Sequence, residues 1–316
     1  MTLSEHMSHK WEKKGRIFQR RGGPFFKSHA MRVIPYLRES GVLRLFFSSR
    51  CEEDMMHPTF IDVNPDNPSE VIYVSEAPLM PLGPLGTFDD SGITIASIVN
   101  ISGKSYCYYT GWKRRRYNVP FELSIGISLI EEDGDRFLKL YDGPIISQNP
   151  KDPLLVAGPF VINENGLLKM WYCSGTSWAQ YGELTEPIYT VFYAESENGI
   201  DWKKASDEPC IKYNNETEVV SAPWVVHTKS GYTMFYPYRQ SETPLLKRYS
   251  IGMAVSNDGV KWIRRDDDFS LKKSGHGWDS EMICYPAVFS YKDKTYLFYS
   301  GNRVGYGGIG YAVSKN

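Results

Sequence analysis

The sequence has little of what marks a disulfide-stabilised or membrane-spanning protein. Its five cysteines form no Cys-x-x-Cys pair, and their odd number predicts reduced, mostly buried thiols. No run approaches the roughly 18 apolar residues of a membrane helix. The first residues, MTLSEHMSHKWEKKGRIF, also lack the apolar core of a signal peptide. We therefore expect a cytoplasmic protein without a membrane span.

Net charge and histidine are also scarce. A formal net charge of -1 argues against nucleic acid as the general partner. The histidines show no metal-ligand spacing, so we expect neither a metal nor another cofactor. The charge is unevenly placed, because residues 1–50 hold eleven Lys and Arg against three Glu. This excess is either a solvated basic face or a surface that prefers an anionic ligand.

Aromatic residues are abundant, with 22 Tyr, 15 Phe and 8 Trp. Such residues favour β-strands, and they also line carbohydrate sites. The 27 Gly and 19 Pro are typical of a chain with many turns.

The chain repeats itself about every 63 residues. One apolar strand recurs as GITIASIV, VAGPFVI, VSAPWVV and ICYPAVF, aligned at Ala96, Pro159, Pro223 and Pro286 with spacings of 63, 64 and 63. A following strand recurs with matched aromatics at Tyr108, Tyr172, Tyr236 and Tyr299, and an earlier copy has Phe46. Hairpin signals follow at Asn198-Gly199 and Asp258-Gly259.

Five copies of about 63 residues account for the length, and each reads as four short antiparallel strands. Radial repetition of such sheets is a β-propeller, so we predict an all-β, five-bladed propeller forming one domain over residues 1–316. The last copy lacks its fourth strand, and HKWEKKGRIF resembles the fourth-strand segments IDWKK and VKWIRR. Residues 11–18 are therefore predicted to supply the outer strand of the fifth blade. A solenoid of the same period is the alternative.

Acidic residues recur just before the first strand of several copies. The alignment makes Asp89, Asp152, Glu216 and Asp279 equivalent, and equal positions suggest equal structural duties. Asp90 and Glu281 break the equivalence, with Glu218 aligned to Glu281. Two carboxylates converging on one pocket are what glycosidic cleavage requires.

Other side chains are predicted to surround the same mouth. Arg50, Arg239 and Arg303 end second strands, where they bind either an anionic ligand or one of the acids. Trp112 and Trp178 are either sugar-stacking platforms or packing residues. His29 precedes the first-blade strand, where it assists catalysis, holds an ion or forms a hydrogen bond. The basic run at 112–117 is an exposed loop or a contact for phosphate or uronate.

The motifs MWYCSG, LFYSGN, AESENGIDW, AVSNDGVKW, GTFDDSG and GWDSEMICYP resemble the five-bladed propeller glycosidase superfamily, which includes glycoside hydrolase families 43, 32 and 130. More narrowly, the chain is similar to uncharacterised bacterial members found with surface-polysaccharide genes. The resemblance implies three acids: Asp90 as base, Asp89 or Asp152 as auxiliary, and Glu281 as general acid, with Glu218 its competitor. It departs from family 43 at Ser28-His29, where that family has an Asp.

The expected function is cleavage or transfer of a glycosidic bond in a bacterial polysaccharide or its precursor. Two alternatives remain: a glycoside phosphorylase, with Arg50, Lys113 and Arg239 available for phosphate, and a non-catalytic glycan-binding propeller. The expected partner is a carbohydrate, and an anionic or phosphorylated carbohydrate is one form that it could take. The predicted catalytic residues are Asp90, Glu281 and Asp89, and the predicted substrate-binding residues are Arg50, His29, Trp112, Asp152, Trp178, Glu218, Arg239, Asp279 and Arg303.

Overall fold

A computed structural model of the protein describes residues 10–239 and 248–315. The other residues of the predicted domain, 1–9, 240–247 and 316, lie outside the described residues. These residues form an all-β fold of curled antiparallel sheets. Aromatic and β-branched residues dominate the strands, and their buried positions form cores between neighbouring sheets. No helix among the described residues is long and apolar enough to cross a membrane.

The strands fall into five groups of neighbouring antiparallel strands. Groups one and two share an eight-stranded sheet through a single parallel bridge between Met56 and Gly92. The strands of group one are β2 (Ser28–Leu37), β3 (Leu43–Arg50), β4 (Met56–Asn64) and β5 (Asn67–Val74). Those of group two are β6 (Gly92–Ile101), β7 (Lys104–Arg114), β8 (Phe121–Glu131) and β9 (Arg136–Lys139).

Groups three and four repeat the arrangement, except that the first strand of group four is interrupted. Group three contains β10 (Val156–Glu164), β11 (Leu167–Tyr181), β12 (Leu184–Ser196) and β13 (Lys203–Lys204). Group four contains β14 (Val219–Val220), β15 (Trp224–Thr228), β16 (Gly231–Arg239), β17 (Ser250–Ser256) and β18 (Ile263–Arg264). Both β14 and β15 pair with β16, so they act as one first strand broken near Pro223. The described helices are short: Glu132–Gly134, Asp266–Asp268 and Asn302–Gly305.

Group five combines the two ends of the described chain. It contains β1 (Lys10–Phe18), β19 (Cys284–Tyr291), β20 (Lys294–Ser300) and β21 (Ile309–Lys315). The predicted pairing of the N-terminal segment with the last copy is present, because β1 lies antiparallel to β21 as the outer strand. A Cβ at Gly310 would overlap the carbonyl oxygen of Gly15, so this close approach requires glycine.

Hydrophobic clusters lie between neighbouring groups. Four of them join groups one to two, two to three, three to four, and four to five. A further cluster joins group five back to group one, packing Phe298 and Tyr296 of β20 against Leu45 and Phe47 of β3. An open solenoid would separate its first and last repeats, so this contact argues against that alternative.

Candidate functional site

The recurring acids before the first strands lie in buried clusters of one kind. In each cluster the Asp accepts a hydrogen bond from a tyrosine of the second strand and pairs with a lysine of the outer strand. The clusters are Asp89 with Tyr109 at 3.2 Å and Lys139 at 2.6 Å, Asp152 with Tyr172 at 3.0 Å and Lys204 at 2.8 Å, and Asp279 with Tyr299 at 3.0 Å and Lys13 at 2.6 Å. Lys13 belongs to β1, so β1 occupies the same place in group five as β9 and β13 do in their groups.

These clusters correct the alignment of the aromatic positions in group two. The equivalent residue is Tyr109 and not Tyr108, because Tyr109 bonds the Asp twenty residues earlier as Tyr172 and Tyr299 do. Tyr108 points to the other face of β7 and donates to the carbonyl of Gly199.

Groups one and four replace the cluster by other pairs. In group four, Tyr236 donates to Asp266 at 2.6 Å, and Arg264 joins Asp266 to the fully buried Glu218. In group one, Phe26 and Phe46 have the same 20-residue separation as the Asp and Tyr of the other clusters. Both are fully buried and apolar, so no polar pair is needed there.

This environment favours structural roles for Asp89, Asp152, Asp279 and Glu218 over the predicted catalytic and substrate-binding ones. Each is at most 2% exposed and already neutralised by a lysine or arginine. Burial of Asp152 opposes ionisation, but the hydrogen bonds from Lys204 and Ser174 outweigh it and lower the pKa of this carboxyl. Burial and the adjacent carboxylate raise the pKa of each cluster tyrosine. The phenols therefore remain protonated donors.

One pocket of about 430 Å³ receives side chains from all five groups, and we call it the central pocket. Its walls include Trp112, Phe121, Tyr189, Tyr249 and Tyr285. The charged residues of its lining are Arg32, Arg50, Asp54, Arg114, Arg115 and Glu186. A concave site of this size, with apolar walls and a few charged groups, is typical of small-molecule recognition.

The structure brings two of the predicted substrate-binding residues into the central pocket. Arg50 lines it and pairs with Asp54 at 2.5 Å. Trp112 lines it too, with its indole N–H donating to Thr94. Trp178 lies one ring further out, because Phe121 separates it from Trp112 at ring distances of 5.8 and 5.0 Å.

Three other predicted residues lie outside the lining of the pocket. Arg239 is buried behind it and reaches Glu186 at 3.3 Å. Asp90 precedes the lining residue Ser91, and both its carboxylate oxygens accept hydrogen bonds, from Gly86 N–H and Ser91 Oγ. Glu281 is exposed, and its backbone N–H donates to the Asn302 side chain.

His29 and Arg303 lie together at the rim. The ring of Tyr306 stacks edge-on against His29, and the Arg303 guanidinium lies over its face at 4.6 Å. Burial, together with nearby Arg50, lowers the pKa of His29 to about 4, so its imidazole is neutral at neutral pH. Its Nδ1 shares a hydrogen bond with Ser28 Oγ. No group of three or more His, Cys, Asp or Glu within the described ranges is arranged to hold a metal ion.

Three charged residues of the central pocket were missed by the sequence patterns. Asp54 follows β3 in a turn and Glu186 lies in β12, outside the first-strand starts and second-strand ends that the repeat singles out. Burial opposes ionisation of Asp54, but the ion pair with Arg50 outweighs it and lowers the pKa of this carboxyl. Arg32 lies in β2. The sequence could have indicated it, because an arginine within an otherwise apolar first strand is unusual.

A second pocket of about 620 Å³ lies on group three, beside the Asp152–Lys204 pair and Trp202. Its lining includes Asp152, Tyr172 and Lys204 of the structural cluster already described. The central pocket is the better candidate site, because it alone of the two combines all five groups with aromatic walls.

The fold is that of propeller-type glycoside hydrolases. A solved structure named "Glycoside hydrolase" matches with a TM-score of 0.76 and 17% identity, covering 100% of this chain and 96% of that chain. A thermostable family-43 glycoside hydrolase has a TM-score of 0.65 and 14% identity, covering 94% and 91%. A structure from the GH130 family of mannoside phosphorylases, which contains glycoside hydrolases, has a TM-score of 0.68 and 16% identity, covering 99% and 95%.

The sequence comparison defines the family. Over 308 residues the chain is 31% identical to the uncharacterised protein Rv1502 of Mycobacterium tuberculosis strain H37Rv, covering 97% of this chain and 99% of that one. The uncharacterised protein MT1551 of strain CDC 1551 matches to the same extent. The chain belongs to the family of Rv1502. No family model matches it.

Proposed function

We propose that the protein is a carbohydrate-active enzyme that cleaves or transfers a glycosidic bond in a bacterial polysaccharide or its precursor. The central pocket carries this proposal, because it is lined by aromatic walls, arginines and two carboxylates within a fold shared with glycoside hydrolases. Aromatic faces stack on sugar rings, and two carboxylates are what glycosidic cleavage needs.

The architecture proposed for this function is a single-domain, five-bladed propeller in which each group is one blade. The core clusters between successive groups, and the one between groups five and one, support a closed ring. In a closed ring the first strands surround an axis, and residues far apart in sequence meet at one mouth.

Asp54 and Glu186 are the proposed catalytic carboxylates, in place of Asp90 and Glu281. They are the acids of the pocket lining, whereas Asp90 and Glu281 stand beside it. Asp54 suits the base or nucleophile, because its ion pair with Arg50 keeps it ionised at neutral pH. Glu186 is then the proposed proton donor to the leaving oxygen, a role that requires its ion pair with Arg239 at 3.3 Å to be released when the ligand binds.

The test is product release from bacterial oligosaccharides and aryl glycosides, with and without inorganic phosphate. Asp54→Asn and Glu186→Gln are each expected to lower kcat/KM by roughly 10²- to 10⁴-fold. Asp66→Asn is the matched control, because Asp66 is a surface acid paired with Lys292. Thermal melting of each variant checks that it is folded.

The outcomes separate the candidate functions and the candidate residues. If Asp90→Asn or Glu281→Gln abolishes turnover while the pocket variants keep it, the assignment to Asp54 and Glu186 is wrong. Glycan binding with no turnover by the wild-type protein identifies a binding module instead. Release of a sugar 1-phosphate only in the presence of phosphate identifies a phosphorylase, which the several arginines of the pocket favour as the second candidate.

A further inference from the structure

Arg32 is a buried cation without a carboxylate partner among the described residues. Its side chain lines the central pocket, and the residue is 5% exposed. Its Nη2 donates to the carbonyl oxygen of Pro159 at 3.3 Å, and its backbone N–H donates to Ser300 Oγ. Across residues 10–239 and 248–315, no Asp or Glu lies within ion-pair distance of this guanidinium.

The other buried arginines of the described chain show that this is unusual here. Arg20 pairs with Glu76, Arg44 with Asp62, and Arg239 with Glu186. Taking a guanidinium out of water is unfavourable unless an anion and hydrogen-bond acceptors replace the water. Within the part of the chain that the structure describes, Arg32 therefore lacks the counter-ion that the other buried arginines have.

The repeat explains how Arg32 reaches the pocket. Its equivalents in groups three, four and five are Gly158, Ala222 and Tyr285, which all line the same pocket, whereas the group-two equivalent, Ile95, lies in the core. Arg32 and its three pocket-lining equivalents have positive φ, between 32° and 61°, where the first strand leaves regular pairing with the second. This backbone conformation turns the residue away from the sheet and towards the shared space.

Small residues leave room for the guanidinium. A Cβ at Gly158 would lie 3.1 Å from Arg32 Nη1, which is tighter than ordinary van der Waals contact. The arginine of group one therefore extends across to the backbone of group three, at Gly158 and Pro159. Its five N–H donors have one acceptor in the described structure, the carbonyl of Pro159.

The other arginines of the pocket either form ion pairs or lie at the exposed rim. Arg50 pairs with Asp54 at 2.5 Å, and Arg115 pairs with Glu122 at 3.1 Å. Arg114 donates to the backbone carbonyls of Glu53 and Asp54 at the exposed rim. Arg114 is exposed to water, so among the described residues the buried positive charge of the pocket without a carboxylate partner is Arg32.

We propose that Arg32 forms an oxyanion subsite at the floor of the central pocket, which binds the carboxylate or phosphate group of an acidic sugar. The guanidinium fork matches both groups bidentately, whereas a neutral sugar hydroxyl supplies no counter-charge. Burial lowers the pKa of Arg32 to about 10, so the side chain remains charged at neutral pH. Because the subsite lies at the floor, the acidic group is at the end of the ligand that enters first. This inference rests on the proposed function only in taking the ligand to be a sugar.

The test measures binding rather than turnover, using isothermal titration and thermal melting with D-glucuronate, inorganic phosphate and D-glucose at matched ionic strength. We expect the wild-type protein to bind D-glucuronate, inorganic phosphate or both saturably. We expect D-glucose to show no saturable binding and no change in melting temperature. Arg32→Met keeps the length and apolar stem of the side chain, and it is expected to weaken anion binding on the order of 10- to 100-fold. Glucuronate and phosphate as separate arms distinguish an acidic sugar from free or sugar-bound phosphate.

Arg20→Met is the matched control, because Arg20 is equally buried but pairs with Glu76 outside the pocket lining. It is expected to melt at a lower temperature and to keep the anion response. Without anion, Arg32→Met is expected to melt at or above the wild-type temperature, because a buried unpaired charge has been removed.

Absence of saturable anion binding by the wild-type protein overturns the inference, as does unchanged anion affinity in a folded Arg32→Met. A lower melting temperature of that variant without anion assigns Arg32 a structural role and overturns it too. Anion binding without glycan turnover leaves the subsite intact and refutes only the enzymatic proposal. Turnover of neutral glycans without anion binding refutes the subsite and leaves the enzymatic proposal intact.

Discussion

Lys13 connects the N-terminal strand to the buried carboxylate of group five, and its removal is the sharpest test of ring closure. Its Nζ lies 2.6 Å from Asp279 Oδ2 and 2.8 Å from Ser274 Oγ. The Lys13 side chain is 26% exposed and that of Asp279 is 3% exposed. Lys13→Met would therefore leave a buried carboxylate with Tyr299 as its remaining side-chain donor in the described structure.

Breaking a buried ion pair by removing one partner costs about 3–5 kcal/mol. Partial exposure of Lys13 lets water reach the site, so we expect a loss of about 2–4 kcal/mol in the free energy of unfolding. For a chain of this length that unfolds in one transition, this loss corresponds to a fall of roughly 5–10 °C in Tm. Urea unfolding and calorimetry measure both quantities.

Two controls make the measurement specific. Lys14→Met removes the neighbouring, exposed pair with Glu12 and should change stability by less than about 0.5 kcal/mol. The double variant Lys13→Met/Asp279→Asn should recover part of the loss, because the unpaired charge is gone. A Lys13→Met protein as stable as wild type would refute the reasoning that this pair stabilises the junction of the chain ends.

Two further predictions concern acid stability and sugar contact. Because the folded-state pKa of Asp152 is lowered, its contribution to stability is present above about pH 4 and is lost as pH falls through the folded-state value. Lys204→Met should thus lower Tm at pH 7 and flatten the fall of Tm between pH 5 and pH 2 relative to wild type; parallel profiles would contradict this. Trp112→Ala should weaken glycan binding roughly 3- to 10-fold by removing a pocket wall. Trp178→Ala, one ring further out, should not, and titration of both variants with the same glycan decides the matter.

The repeat predicted which strands pair, because a 63-residue period and the turn signals are local properties of the chain. It misassigned one aromatic position by a single residue, choosing Tyr108 where the equivalent is Tyr109. Both are tyrosines on adjacent positions of one strand, and only the face each occupies distinguishes them. The irregular pairing of β6 between Ile95 and Ser97 adds to the ambiguity, since it shifts the register by one residue.

The candidate site was harder to predict. Arg50 and Trp112 were expected at the mouth because second-strand ends converge there. Glu186 lies at the beginning of a third strand, so it reaches the pocket only because β11 and β12 run on together past the sheet. The entry of the Arg32 side chain into the pocket depends on the left-handed backbone conformation of Arg32 itself within β2. Whether its charge is paired depends on which side chains the fold brings next to it. Neither property can be read from spacing.

The pairing of β1 with β21 has a consequence for biosynthesis. The outer strand of group five is made before every other described strand, whereas its hydrogen-bonding partner β21 is the last of them to be made. Until then β1 presents an unsatisfied edge, and groups one and five cannot share their common core. We expect nascent chains that stop before Ile309 to remain open and to recruit chaperones or associate with one another through that edge.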